Sequence, residues 1–487
     1  MASDSRDSLA PTPVGVFSRE YVWITIGACA LVFLGAFESL AVTTIMPLVS
    51  EDLNGAGLYA LAFAGPLATG VVGMVVAGNW SDRRGPLVPL YASSALFAVG
   101  LLIAGLAVTM PMLVAGRLVQ GLGTGAVTVA LYVIVARVFP ARLHPSIFAG
   151  FAAAWVVPSL IGPYFAGLIA QWFSWHWVFL GVVGLVVAAT VMVAPAVHSR
   201  LRRELGQPTV PWEYGRIAFS VLAALSVLAL ALVAELPAEP LVLAVIALAA
   251  IAVTFFAVRP LVPPGTLLAR RRLPSVILLR GVAAAAFFGA EVYLPYLFIE
   301  DYQFEPAMAG LALTTAAIAW AITSWLQGRL ATTLSNRGST VVGTVLVLAG
   351  IVPVLVTAAW HLEPAIAIAG WTLAGAGMGL MYPRISTMTL AYSTPLNQGF
   401  NSAAMSIGDS LGGALALALT GLISALFAAT GHAFAAVFAF TALLALAAIA
   451  IAPRVAGAGE FPGEVSEASV DSVFTGPIVT PGPAADD

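Results

Sequence analysis

Fourteen stretches of this chain, each close to 20 residues or longer and nearly free of charge, follow one another with short polar breaks between them. An α-helix needs about 20 mainly apolar residues to cross the hydrocarbon of a bilayer. The stretches lie at roughly 22–49, 58–79, 87–107, 111–138, 146–170, 177–197, 217–236, 240–258, 275–299, 307–331, 340–360, 365–391, 399–426 and 433–452. The expected fold is therefore an all-α polytopic membrane protein with 14 transmembrane helices. Composition agrees, because 60% of the 487 residues are hydrophobic and 9% are charged, whereas soluble domains carry about 25% charged residues.

The net charge of −3 says less than where the charges lie. With the N-terminus inside, the inner loops receive Arg83, Arg84, Arg137, Arg142, Arg200, Arg202, Arg203, Arg216, Arg259, Arg270 to Arg272, Arg337 and Arg454, and the outer loops receive no arginine. The outer loops carry Glu51, Asp52, Glu235, Glu239, Glu300, Asp301, Glu305 and Glu363 instead. Such asymmetry orients a membrane protein. Both termini are expected in the cytoplasm and the chain in the cell (inner) membrane. Residues 1–20 hold Asp4, Arg6, Asp7 and Glu20 without an apolar core, which is not a signal peptide. All 20 basic residues are arginine, so lysine Schiff-base chemistry is excluded.

The chain also repeats itself. Glu38 in FLGAFESL and Glu291 in FFGAEVYL stand 291 − 38 = 253 residues apart. AGRLVQGLGTGA at 115–126 matches AGWTLAGAGMGL at 369–380, setting Gly121, Gly123 and Gly125 against Gly375, Gly377 and Gly379 at an offset of 254. SDRRG at 81–85 matches SNRG at 335–338, with Gly85 and Gly338 again 253 apart. Agreement on one offset argues for two six-helix bundles in pseudo-symmetric repeat plus two inserted helices, which is a transporter architecture. The expected organisation is a cytoplasmic N-terminal tail at 1–21, a six-helix bundle at 22–197, a connector with two extra helices at 198–274, a second six-helix bundle at 275–453, and a polar, disordered cytoplasmic tail at 454–487.

An acidic residue inside a span costs roughly 2.5–3.5 kcal/mol to insert and by default marks an ion, proton or substrate site. Counting about 1.5 Å per residue, Glu38 lies about 15 Å from the outer end of span 1 and Arg117 about 9 Å from the outer end of span 4. At those depths the two meet directly or through water if their helices face one cavity. An approaching arginine, which keeps its proton, favours the carboxylate, and its withdrawal favours the acid. The pair is then either a proton switch or a static bridge between helices. In the second half Trp371 stands at the repeat position of Arg117, leaving Glu291 without a cation. Glu291 is thus a proton site, a contact for a cationic substrate, or a neutral packing residue.

Arg384 and Asp409 lie at similar depth and are expected to form an inner ion pair, with Arg280 and Arg329 snorkelling to the inner interface. Phe37, Trp155, Tyr293 and Trp371 are candidates for lining a substrate cavity, and serve equally as packing or lipid-facing side chains. The five histidines are scattered without metal-ligand spacing or a nucleophile, and there is no Walker A loop. Neither enzyme activity nor a metal nor another cofactor is expected. The expected partners are protons, a small hydrophobic or cationic substrate and the lipid bilayer, with no nucleic acid, for a monomeric protein.

These residues resemble the major facilitator superfamily, in particular its fourteen-helix drug/proton antiporter branch, over residues 20–453. GNWSDRRG at 78–85 is similar to the loop signature GxxxDRxG, which makes Asp82, Arg83 and Gly85 a gating loop. RLVQGLGTGA at 117–126 resembles the helix 4 signature, whose arginine handles protons, a role that falls to Arg117. PSLIGPYFAG at 158–167 resembles the antiporter signature of helix 5, through Pro158, Gly162, Pro163 and Gly167, and SWHWVF at 174–179 its usual sequel. Departures are Pro158 and Ala166 in place of glycines, Glu38 in place of an aspartate ahead of Pro47, and Ser335 in place of the acid in the second loop. The resemblance implies a proton-coupled efflux antiporter of the multidrug type working by alternating access. A lipid or metabolite exporter of the same fold is the near alternative, and a non-transporting membrane scaffold or sensor the distant one.

Overall fold

The computed structural model describes residues 15–55, 58–201, 210–233, 239–330 and 333–456. The two expected tails therefore lie largely outside the described residues, as do Arg202, Arg203 and Glu235. Among the described residues there are fifteen α-helices: α1 Val22–Asp52, α2 Tyr59–Arg84, α3 Leu87–Gly105, α4 Met110–Val138, α5 His144–Trp172, α6 His176–Leu201, α7 Tyr214–Leu232, α8 Pro240–Val258, α9 Leu273–Glu291, α10 Tyr293–Glu300, α11 Pro306–Arg329, α12 Asn336–Trp360, α13 Pro364–Ala391, α14 Gln398–Phe427 and α15 Ala433–Ile451. Fourteen helical segments among the described residues are long and apolar enough to cross a membrane. There is no strand among the described residues.

The ninth span is broken into α9 and α10 at Val292. Pro295 explains the break: it has no N–H to give the carbonyl four residues back, that of Glu291, and its ring crowds that carbonyl. Glu291 therefore ends a helix, where an unbroken span was expected.

The two halves use the same packing scheme. α4 lies between α2 and α3, and α1 packs on α5 and α6; in the second half α13 lies between α11 and α12, and α9 packs on α14 and α15. Within lipid, helices associate through close packing rather than through removal from water, so small residues at crossings matter most. Gly125 of α4 sits on the backbone of Gly70 in α2, and its repeat mate Gly379 sits on Trp320 in α11, each with no room for a Cβ. Each half has its own main apolar cluster, around Phe97, Leu113 and Phe179 in the first and around Phe287, Phe298 and Trp371 in the second.

The halves meet along two seams, α2 against α14 and α5 against α11. Glycines on both seams lie at the end of the bundle that carries the arginines: Gly78 directly against Gly399, and Gly328 in ordinary contact with Ala149, Pro145 and Ser146. The inserted α7 packs on α8 and along α2, with further contacts to α14.

Candidate functional site

Glu38 and Arg117 are brought together. α4 begins on the Thr109 hydroxyl, which accepts the Met112 N–H at 3.4 Å, with Pro111 in its first turn. Two turns on, Arg117 points across to α1. Its Nη1 donates to Glu38 Oε1 and, at 2.9 Å, to Gln120 Oε1, while its Nε donates to the Ala62 carbonyl of α2 at 3.1 Å. Both charged side chains are 5% exposed. A buried pair of this kind is tolerable only when its remaining polar atoms are also bonded, and Gln120 and Ala62 do that. Neither partner was read from the sequence, although Gln120 lies one turn from Arg117.

Glu291 has no such company. It is half-buried at the end of α9, and its carboxylate makes no hydrogen bond or ion pair among the described residues. At the repeat position of Arg117, Trp371 is fully buried, stacked on Phe287 with ring centroids 4.6 Å apart. Trp371 therefore does not line a cavity, contrary to expectation: a stacked aromatic pair in the second half occupies the place of the ion pair in the first. Of the other proposed lining residues, Phe37 lies against Gly162, Trp155 is exposed on α5, and Tyr293 is half-buried beside Tyr296.

α5 runs unbroken through Pro158, Gly162 and Gly167. Pro158, Gly162 and Ala166 are buried at four-residue spacing, and Gly162 lets Phe37 and Leu40 of α1 come close. Gly167 touches nothing that a Cβ would meet, and the side chain of Pro163 lies outside the described residues.

The end of α2 reaches across a seam. Asp82, in the last turn of α2, is buried and accepts the N–H groups of Gly399 at 2.6 Å and Phe400 at 2.8 Å. Those are first-turn amides of α14, which no intrahelical carbonyl can take and which carry the positive end of the helix dipole. Arg137 donates to the Ser81 carbonyl at 3.3 Å and to the Pro395 carbonyl at 3.0 Å, tying the same two halves. Gly85 turns the chain out of α2 at φ +81°. Arg83 instead donates to the Val210 carbonyl at 3.1 Å. In the second half Ser335 caps its own helix, accepting the Gly338 N–H at 2.9 Å.

The expected Arg384–Asp409 pair is corrected. Asp409 is held by Arg280, with Nε to Oδ1 at 3.0 Å and Nη2 to Oδ2 at 3.1 Å, and it also accepts the Tyr382 hydroxyl at 2.8 Å. Arg280 does not snorkel; it is buried, with its guanidinium 3.6 Å from the Tyr382 ring centroid. Arg384 gives Nη2 to the Leu334 carbonyl at 2.8 Å. The cluster staples α9, α13 and α14 within one half.

Duplicated six-helix halves joined at two seams, with a buried acid–arginine pair inside one half, define a secondary-transporter fold. The chain belongs to the Major Facilitator Superfamily, whose sequence pattern matches residues 28–368 and 276–476. Among similar proteins, the multidrug efflux pump SdrM of Staphylococcus aureus (strain N315) is 23% identical over 419 residues, which is 84% of this chain and 92% of that one. The multidrug transporter protein MdtP of Bacillus subtilis (strain 168) is 24% identical over 422 residues, 84% of this chain and 76% of that one. In fold, the chain resembles the crystal structure of the human organic anion transporter MFSD10 (TETRAN), with a TM-score of 0.68 at 13% identity over 89% of this chain and 100% of that one.

Proposed function

We propose that this chain is a proton-coupled efflux antiporter that exports hydrophobic or cationic small molecules by alternating access. The observation that carries the reading is the Glu38–Arg117 pair, buried where α1 meets α4 and backed by Gln120 and Ala62. Deprotonated, the pair is neutral as a whole. A proton on Glu38 leaves the guanidinium uncompensated in a medium that penalises isolated charge, so proton uptake and helix rearrangement are coupled. Arginine cannot release its own proton to relieve the imbalance. Glu291, half-buried and unpaired, supplies a second proton site or the contact for a cationic substrate. The names of the two bacterial relatives, an efflux pump and a multidrug transporter, favour the same cargo class.

The arginine-bearing end faces the cytoplasm in this reading, with both termini on that side of the cell membrane. Asp82 and Arg137 then form the inner gate, closed in this arrangement, and the unit that rocks is the monomer. One charge crossing 100 mV releases about 2.3 kcal/mol, and about 1.4 kcal/mol is tenfold, so a single proton exchanged for a neutral substrate supports a gradient of roughly fiftyfold, whereas one-for-one exchange with a cation moves no net charge and is driven by the pH gradient alone. The test is transport in proteoliposomes. An imposed pH gradient is expected to drive accumulation of a lipophilic cation, and the cation is expected to release protons in return; transport indifferent to the gradient refutes the coupling.

A further inference from the structure

α7 and α8 have no counterpart in the duplicated six-helix halves. We infer that they clamp the inner gate, and that Arg216 carries the clamp across the α2–α14 seam. The inference rests on the alternating-access reading above and adds to it the part that holds one state.

The segment leading into α7 is bound to α2 almost residue by residue. The Val210 carbonyl accepts from Arg83, the Pro211 carbonyl accepts from Asn79 Nδ2 at 3.3 Å, and the Glu213 N–H donates to Asn79 Oδ1 at 3.2 Å. Trp212 lies beside Trp80, ring centroids 6.3 Å apart. Toward α14 the grip is different in kind. Arg216, in the first turn of α7, is held by Glu213 at 2.5 Å and lays its guanidinium over the Phe400 ring, 3.9 Å from the centroid. The backbone N–H of the same Phe400 is bound by Asp82. The first turn of α14 is thus held from two sides, by a carboxylate from α2 and a cation from α7. Between them lies a cavity of about 260 Å³, lined by Asn79, Asp82, Glu213, Arg216, Asn397 and Phe400 among others.

Apolar packing continues the clamp deeper into the bundle. Val227 of α7 and Leu261 beyond α8 share one cluster with Val75 of α2 and Ile407 of α14, and Leu230 shares another with Leu415. Ser226 and Thr254, 2.8 Å apart, fasten α7 to α8. Because hydrogen bonds tie the insert to α2 whereas one ring contact ties its first turn to α14, it moves with the first half. Inward opening then breaks the Arg216–Phe400 contact together with the two Asp82 bonds. A cation over an aromatic face is directional and is lost over a small displacement, and the Arg216 side chain here stays 34% exposed.

The test places spin labels at the exposed Arg142 and Arg337, on opposite halves, in the full chain carrying Cys29→Ala in lipid nanodiscs. Distances are compared between acid and neutral pH. The parent is expected to populate a short and a long separation. Arg216→Gln is expected to raise the long-distance fraction roughly two- to fivefold, Phe400→Leu to do the same while leaving the backbone bonds to Asp82, and Arg216→Lys to fall between. A purely structural role would lower thermal stability without changing the ratio. A parent that exchanges while both Arg216→Gln and Phe400→Leu match it overturns the clamp alone. A parent fixed at one distance under all conditions overturns the clamp and the alternating-access reading together.

Discussion

Replacing Asp82 by Asn should loosen the gate while leaving the first half intact. The two carboxylate oxygens each take one amide of α14, Oδ1 from Gly399 and Oδ2 from Phe400. Asparagine has a single acceptor oxygen, so one bond is lost and an NH₂ group is turned against a backbone N–H. Charge-assisted hydrogen bonds contribute about 1.5–3 kcal/mol each, and removing a negative charge from a helix N-terminus costs about 0.3–1 kcal/mol more. A net loss of about 2–4 kcal/mol from the joined state follows, or roughly 30- to 900-fold in its population relative to the open one. Hydrogen–deuterium exchange reads this at the amides concerned: Gly399 and Phe400 should exchange faster by up to that factor, while amides within α15 keep their protection. Unchanged protection at Gly399 and Phe400 would mean that Asp82 does not hold the seam.

Breaking the Arg280–Asp409 staple with Arg280→Leu should cost about 1.5–3 kcal/mol, because a half-buried carboxylate is left with the Tyr382 hydroxyl and without its charged partner, seen as a lower thermal unfolding midpoint in detergent; adding Asp409→Leu should recover most of it. At Gly78 a Cβ would sit 2.6 Å from the Gly399 carbonyl oxygen, so Gly78→Ala should leave extraction yield intact yet shift spin-label distances toward the separated state. Ser335→Ala removes only a helix cap, costing about 1 kcal/mol; it should lower the midpoint slightly and leave transport rates unchanged.

Depth along a helix was legible in the sequence and rotation about it was not. Glu38 and Arg117 could be matched because few charges occur at their level of the membrane. Asp409 had two arginines within reach, Arg280 seven residues past the start of α9 at Leu273 and Arg384 seven residues before the end of α13 at Ala391. Depth cannot separate them; which side of each helix faces α14 does, and periodicity is weak in helices that are apolar all round. The glycine-matched repeat foretold the paired packing of α4 and α13, since the same crossings need the same missing side chains. The break after Glu291 had a local signal in Pro295, four residues on. The contacts of Asn79, Glu213 and Arg216 had none, because they depend on where an inserted hairpin docks.

The most direct test of the central claim is pH-gradient-driven substrate transport by Glu38→Gln in proteoliposomes, beside substrate exchange without a gradient. Glutamine keeps an oxygen for Arg117 but carries no exchangeable charge. The account predicts that gradient-driven transport is abolished, with expression intact and gradient-free exchange retained. Undiminished gradient-driven transport by this variant would contradict it.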